Sequence, residues 1–164
     1  MKYTSFRTKS KKINYINEYN PYTGKLIKKT YYQSDGKTIE NIIDYDLCSR
    51  KKIKETHFIS DGKTINYIEE FFPSTGHKIK ETYFRNDGKT IKYISEYDTF
   101  IENFFIENLF EILIKKTWFQ DDGRKICYIE EFNPLKGNKI KLTQFQFDGK
   151  TISYITEYDP SNDN

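Results

Sequence analysis

The chain repeats one phrase of sequence six times, and this internal period limits its fold more than any other feature does. A threonine opens each copy, and the steps between successive threonines are 26, 26, 26, 35 and 26 residues. Isoleucines follow nine and twelve residues after each threonine. The six threonines are Thr4, Thr30, Thr56, Thr82, Thr117 and Thr143. A period of this length is typical of a solenoid, a stacked array or an extended sheet.

Each copy has the pattern of a β-hairpin. In the clearest copy, residues 78–98, two runs rich in Ile, Thr, Tyr and Phe flank Asp87-Gly88. Asp-Gly is favoured in hairpin turns because glycine readily adopts positive φ. A Pro-x-x-Gly motif joins one hairpin to the next at residues 21–24, 73–76 and 134–137. We therefore predict an all-β fold of tandem antiparallel β-hairpin repeats in an extended twisted sheet, the alternative being a flattened β-solenoid.

The spacing also predicts the domain organisation, a single repeat array over residues 1–164. The repeats span about 1–20, 21–46, 47–72, 73–98, 99–133 and 134–159, and the fifth contains an insertion at 99–113. Because the first repeat begins almost at Met1, we expect that a leader or further repeats have been removed from the sequence.

The two faces of each strand carry different side chains, because successive residues of a strand point to opposite faces. If Phe84 pairs with Ile91 across the turn, Thr82 is expected opposite Tyr93. One face is then nearly constant along the chain, and the other carries a column that varies. The variable column is Ser5, Tyr31, His57, Tyr83, Trp118 and Gln144. A slip of one residue would exchange the faces.

The composition suits a thin sheet with partly solvated aromatic rings. Apolar residues make up 36% of the chain and aromatic residues 17%, too few apolar groups for a deep core but too many rings for disorder. The net charge is only +3, whereas a nucleic-acid binder usually has a larger and more segregated excess. No stretch approaches the ~20 apolar residues of a membrane span. Nucleic-acid and carbohydrate binding are therefore less favoured than protein binding.

No constellation typical of an enzyme stands out. His57 and His77 are the two histidines, and neither has a second His or Cys at metal-ligand spacing. Each Asp-Gly turn offers too few oxygens for Ca²⁺. Cys48 and Cys127 occupy different phases of the repeat and are expected to be free thiols. We predict that the protein is not an enzyme, with no catalytic residues, no metal site and no cofactor.

The insertion at residues 99–113 adds nine residues to one repeat. Its apolar residues fall at helical spacing, which predicts a short amphipathic helix. Such a helix would either cap the sheet or dock a partner, since apolar helices in grooves are a common mode of recognition. The candidate binding residues are Phe100, Ile101, Phe104, Phe105, Leu109, Phe110, Trp118 and Tyr83.

Three motifs resemble a known repeat family: Pro-x-Thr-Gly-Lys at 21–25, Asp-Gly-Lys-Thr-Ile at 35–39 and Tyr-Ile-Thr-Glu-Tyr-Asp at 154–159. They are similar to tandem repeats of unknown function in Mollicutes, above all phytoplasmas, and more distantly to MORN and YD repeats. The resemblance implies a surface or secreted protein of a bacterium that lives inside host cells, and it brings no catalytic residues. Any secretion into the host cell rests on this resemblance alone.

The function that fits these observations is a repeat scaffold for protein–protein interaction. The resemblance implies a secreted effector that acts on a host protein. The alternative is a structural or self-assembling surface protein, whose terminal strands pair edge to edge. In this alternative, copies of the chain associate with one another.

Overall fold

A computed structural model describes the backbone of residues 1–103 and 106–159, and side chains outside residues 99–110. This part of the chain is all β and contains no helix that could span a membrane. Its strands are β1 Lys2–Phe6, β2 Ile13–Tyr19, β3 Leu26–Tyr32, β4 Ile39–Tyr45, β5 Lys52–Phe58, β6 Ile65–Phe71, β7 Lys78–Phe84, β8 Ile91–Asn103, β9 Ile106–Phe119, β10 Ile126–Phe132, β11 Lys139–Phe145 and β12 Ile152–Glu157.

The strands belong to two compact units. The first comprises Met1–Gly76 with Asn86–Gly88, and the second His77–Arg85 with Lys89–Asn164. In the first unit, β1 to β6 follow one another in sequence order, and each strand is antiparallel to the next. In the second unit, β7 to β12 do the same. The antiparallel hairpin prediction is confirmed, and the solenoid alternative, which needs parallel contacts between repeats, is wrong.

The Asp-Gly turns are held by the aspartate side chain. Asp35 Oδ1 accepts hydrogen bonds from the backbone N–H of Lys37, at 2.8 Å, and of Thr38, at 2.9 Å. The N–H of Gln33 donates to the carbonyl oxygen of Thr38 at 2.8 Å and closes the turn. The sequence signal for these turns therefore corresponds to a specific set of bonds.

Glycine is required in these turns for a second reason, which is contact with the preceding hairpin. Gly62 has a φ of 66°, and a Cβ atom there would lie 2.6 Å from the Thr38 side chain and 2.7 Å from the Ile39 nitrogen. Gly88 and Gly123 approach the equivalent residues of the preceding hairpins in the same way. Gly62, Gly88 and Gly123 therefore each lie directly against the residues that end the preceding turn.

The Pro-x-x-Gly turns are more open. Gly24 also has a positive φ, 66°, but a Cβ atom there would meet nothing within 4 Å. In the corresponding turn of the next repeat, Arg50 adopts the left-handed conformation with a φ of 63°. Lys11, in the turn of the first hairpin, does so with a φ of 57°. Non-glycine residues rarely adopt this conformation.

Every described junction between strands contains a register shift, and this changes the assignment of faces. Phe84 pairs with Ile91 as predicted. Beyond that pair, however, Tyr83 lies opposite Tyr93 and Thr82 opposite Ile94, so Lys92 is an extra residue in β8. The prediction that Thr82 faces Tyr93 is therefore wrong. A one-residue bulge places the variable column opposite the recurring tyrosines on the same face.

The recurring Thr and Ile residues form a ladder on the other face. In the first unit Thr30 lies between Ile16 and Ile42 on the neighbouring strands. Thr30, Thr56, Thr82, Thr117 and Thr143 are buried, and Phe71 is the buried hydrophobic side chain among those described. Beside this ladder, lysines alternate with acidic residues on neighbouring strands. For example, Lys115 Nζ lies 2.7 Å from Glu96 Oε2.

The insertion is an extension of a β-hairpin, and the predicted helix is wrong. β8 and β9 contain 13 and 14 residues. Phe100 pairs with Phe110, and Ile101 with Leu109. Ile, Phe and Thr favour strands, and the strand pairing that exists at Glu96 continues into the insertion. The predicted Phe104 and Phe105 lie outside the described residues.

Candidate functional site

Four aromatic rings follow one another across neighbouring strands of the second unit. Tyr83, Tyr93, Trp118 and Tyr128 lie on β7, β8, β9 and β10 as directly opposed residues. Their successive ring centroids are 4.5, 4.6 and 5.5 Å apart. Offset or tilted rings at these separations attract one another. We call these four residues the ring row.

Charged side chains from the adjacent column of the same face hold the ring row. The Lys116 ammonium lies 4.0 Å from the Tyr93 ring centroid and 4.5 Å from that of Trp118. The indole N–H of Trp118 donates to Glu130 Oε2 at 3.0 Å, and Lys139 forms an ion pair with Glu130. Burial alone would raise the pKa of Glu130, but the bonds from Lys139 and Trp118 outweigh it and lower that pKa. Glu130 is therefore ionised at neutral pH.

Tyrosines on this face keep their protons. Burial, assisted by the neighbouring Tyr83, raises the pKa of Tyr93 to about 12. Burial and the carboxylate of Glu81 also raise the pKa of Tyr97, whose hydroxyl donates to Glu81 Oε2 at 2.6 Å. Both phenols therefore remain neutral hydrogen-bond donors at physiological pH.

The first unit repeats parts of this arrangement. Tyr15 and Tyr31 lie opposite each other with ring centroids 5.8 Å apart. The Lys29 ammonium lies 4.2 Å from the first ring centroid and 4.5 Å from the second. Asn41 follows in the same column, so the rings of this unit do not form a continuous row.

A second cluster lies on β5 and β6 of the first unit. The imidazole of His57 stacks on Tyr67 with centroids 4.2 Å apart and an interplanar angle of 13°. Its Nε2 lies 3.2 Å from Glu55 Oε1 and 3.4 Å from Glu69 Oε2. Lys52 Nζ lies 2.7 Å from Glu55 Oε2. This cluster combines two carboxylates, an imidazole and an ammonium group.

The protonation of this cluster follows from its contacts. Burial alone would raise the pKa of Glu55, but the contacts with His57, Lys52 and Asn41 outweigh it and lower the pKa to about 2. Burial alone would lower the pKa of His57, but the carboxylates of Glu55 and Glu69 raise it above its usual value. The two carboxylates thus face one ammonium group and one imidazole that can carry positive charge.

The structure brings together only some of the predicted binding residues. Tyr83 stacks on Tyr93, and the Trp118 ring is tilted by 45° against Tyr93. Tyr93 recurs along the chain, so the sequence pattern assigns it to the constant face. The backbones of Phe100, Ile101, Leu109 and Phe110 lie in the extension of β8 and β9. Tyr93 and Tyr128 were not predicted as site residues. The sequence does mark them, because each directly precedes the second isoleucine of its repeat.

Comparison with known proteins gives one family. A model described as a protein of unknown function (DUF2963) matches residues 6–57, 58–105, 108–144 and 119–164. No curated protein matches the sequence. Among solved structures, a mutant of S. aureus TarM in complex with fondaparinux, alpha-GlcNAc-glycerol and UDP has a TM-score of 0.44 and 13% identity. That similarity covers 75% of this chain and 20% of the TarM chain.

Proposed function

The chain belongs to this family of proteins of unknown function, and from that premise we propose that it is a non-enzymatic repeat scaffold that binds a protein through the ring row. The ring row itself supports the proposal best. Half-buried Trp and Tyr side chains on a rigid backbone are the usual anchors of protein interfaces. Stacking between strands fixes the rings before binding, so less side-chain entropy is lost in the complex.

The surroundings of the rings favour a protein over a nucleic acid. Binders of single strands combine stacking rings with a continuous basic groove. Next to the ring row, Glu81, Ser95, Lys116 and Glu130 occupy neighbouring positions of one column, so positive and negative charges are mixed. Mixed charge beside aromatic anchors is typical of a protein interface.

The orientation of the rings also disfavours flat stacking of a sugar. Each ring of the row directs a face toward its neighbour, and the interplanar angles are 24°, 45° and 25°. Lys116 additionally lies over the faces of Tyr93 and Trp118. A sugar would have to displace these contacts before it could lie flat on a ring, whereas protein side chains can pack against half-buried rings without doing so.

The extension of β8 and β9 supplies a second part of the proposed surface. It carries Phe100, Ile101, Leu109 and Phe110 on strands that continue from the ring row, since Tyr93 and Trp118 lie on the same two strands. The resemblance to phytoplasma repeats supports a host protein as the partner and a secreted effector as the biological role.

An affinity capture with matched variants tests the proposal. The wild-type chain, the double variant Tyr93→Ala/Trp118→Ala and the control Tyr22→Ala are each used with host lysate, and captured proteins are identified by mass spectrometry. Tyr22 is 95% exposed in a turn outside the ring row. We expect the control to retain the captured partner, and the double variant to weaken its binding by about 30-fold or more, the effect of losing a 2 kcal/mol anchor.

Two outcomes would contradict the proposal. Equal capture by the double variant and the control would show that the ring row is not the binding surface. Growth of the mass with concentration in light scattering, without any partner, would instead favour self-assembly. Thermal melting of the purified variants verifies that lost capture does not result from unfolding.

A further inference from the structure

We propose that Glu55, His57 and Glu69 form a binding site for a divalent transition-metal ion, with Zn²⁺ as the best match. The three residues lie on one face of β5 and β6. Glu55 and Glu69 are directly opposed on the two strands, and His57 is two residues from Glu55. Directly opposed like charges destabilise a sheet, and a metal ion shared by both carboxylates would offset that repulsion in addition to Lys52, which pairs with Glu55. The proposal does not depend on the ring row.

The spacing of the potential ligand atoms fits a tetrahedral ion. Metal–ligand bonds of ~2.0 Å place two ligands of a tetrahedral Zn²⁺ site roughly 3.3 Å apart. The observed separations from His57 Nε2 are 3.2 Å to Glu55 Oε1 and 3.4 Å to Glu69 Oε2. One ligand atom from each of the three residues lies within 4.8 Å of both others. The cluster therefore needs little rearrangement to enclose an ion.

The His57 nitrogen provides an independent observation. Nε2 is shielded from solvent, and among the described residues no group serves as its hydrogen-bond partner. Both carboxylate oxygens are close enough for a hydrogen bond, but neither lies in a suitable direction from the ring N–H. A neutral imidazole that directs its Nε2 lone pair to a metal would satisfy this buried atom.

The neighbouring groups hold the ligands in place, as outer partners do in metal sites. Stacking on Tyr67 fixes the plane of the imidazole. Lys52 binds Glu55 Oε2, while the other oxygen, Oε1, accepts a hydrogen bond from the Asn41 side-chain amide and lies beside His57. The side chains of His57, Glu55 and Glu69 are 23%, 10% and 18% exposed, so an ion can enter from one side. A water molecule or a partner group could complete the coordination.

The set of ligands occurs in one repeat and is not required by the scaffold. In the next repeat Glu81 occupies the column of Glu55. Lys78 Nζ lies 2.7 Å from Glu81 Oε1, just as Lys52 Nζ lies 2.7 Å from Glu55 Oε2. Tyr83 and Ser95, however, stand where His57 and Glu69 would be. One nitrogen and two carboxylates suit Zn²⁺, whereas Ca²⁺ prefers six to eight oxygens.

Calorimetric titration with Zn²⁺ tests the site. We expect one ion per chain for the wild type, and an affinity at least about 10-fold weaker for Glu69→Gln and His57→Phe, because each loses one ligand. The control Glu81→Gln should bind Zn²⁺ as the wild type does. His57→Phe retains a ring for stacking on Tyr67, so it tests the nitrogen and not the packing.

Two further measurements make the result decisive. Zn²⁺ should raise the Tm of the wild type and of Glu81→Gln but not of His57→Phe, because an ion that binds only the folded state stabilises it. Co²⁺ in place of Zn²⁺ should give the visible absorption of a tetrahedral site. Absence of stoichiometric binding, or equal binding by His57→Phe and Glu81→Gln, would overturn the proposal.

Discussion

Gly62 and Gly24 have the same φ, but different constraints favour glycine at the two positions. Gly24→Ala should cost ~1–2 kcal/mol of unfolding free energy, because only the left-handed backbone opposes the new Cβ atom. Gly62→Ala adds a clash with the Ile39 nitrogen and should cost a further ~1–3 kcal/mol. Denaturant titration measures both, and equal losses would contradict the stacking of turns.

The turn aspartates should respond to acid in a predictable direction. Hydrogen bonds, first from the Thr38 hydroxyl and then from backbone N–H groups, lower the pKa of Asp35 from 3.8 to about 2. Its contribution to stability is therefore complete above 3.8 and is lost as the pH falls through about 2. Thr38→Val should raise the pKa of Asp35, which carboxyl NMR titration measures.

Asp122 is a natural control for this prediction. Lys125 stands where the other turns have threonine, and Asp122 accepts hydrogen bonds from the N–H groups of Lys125 and Arg124. Those bonds also lower its pKa. In the Thr38→Val variant, Asp35 should approach the behaviour of Asp122. An unchanged pKa for Asp35 would show that the backbone bonds suffice.

At the scale of strands and hairpins, local chemistry allowed prediction of the turns but not of the register. The Asp-Gly and Pro-x-x-Gly motifs correctly predicted where the strands begin and end, because each motif favours a defined turn. The bulge that leaves Lys92 unpaired has no comparable sequence signal, since many residue types fill such positions. Thr82 was therefore placed opposite Tyr93 instead of Ile94.

The insertion shows where hydrophobic spacing is ambiguous. Ile101, Leu109 and Ile112 fit a helical period, but a segment dense in apolar residues fits more than one period. The existing pairing of β8 and β9 resolves the ambiguity, because each further residue pair extends a ladder that has already formed. Sequence spacing alone does not contain that information.

The β5–β6 cluster was missed for a related reason. His57 has no second His or Cys at metal-ligand spacing in the sequence, whereas the structure brings the carboxylates of Glu55 and Glu69 to it. Glu55 is two residues away from His57 in the same strand, so its proximity could be predicted from the sequence. The position of Glu69 can be predicted only if the register between β5 and β6 is known, and that register depends on the bulge.

A turn graft tests the extension as a separate element. Tyr97 pairs with Leu113 as Tyr19 pairs with Leu26. Replacing residues 98–112 by the segment 20–25 should therefore preserve the remaining register, and any change in stability should reflect only the loss of the strand pairs of the extension. Circular dichroism and thermal melting check the fold. Partner capture should decrease if the extension contributes to binding, and a collapsed sheet would contradict the equivalence of the two junctions.

For the molecule as a whole, the period allows one hairpin to be removed. Deletion of residues 21–46 from the first unit should bring β2 beside β5, so that Glu18 faces Lys54 as it now faces Lys28. Gly62 would then stack on Lys12 and Ile13, as Gly36 does. Repeat arrays lose stability in steps of one interface. We expect a folded chain with a lower Tm, whereas an unfolded product would contradict this modularity.

The shallow burial of the side chains has a calorimetric consequence. No described side chain is completely buried, and most of the buried side chains are those of threonines. The heat-capacity change of unfolding arises chiefly from newly exposed apolar surface, and globular proteins show roughly 12–15 cal/mol/K per residue. Scanning calorimetry should give a smaller value here. A small heat-capacity change flattens the stability curve, so cooling and warming would alter the folded population only slowly.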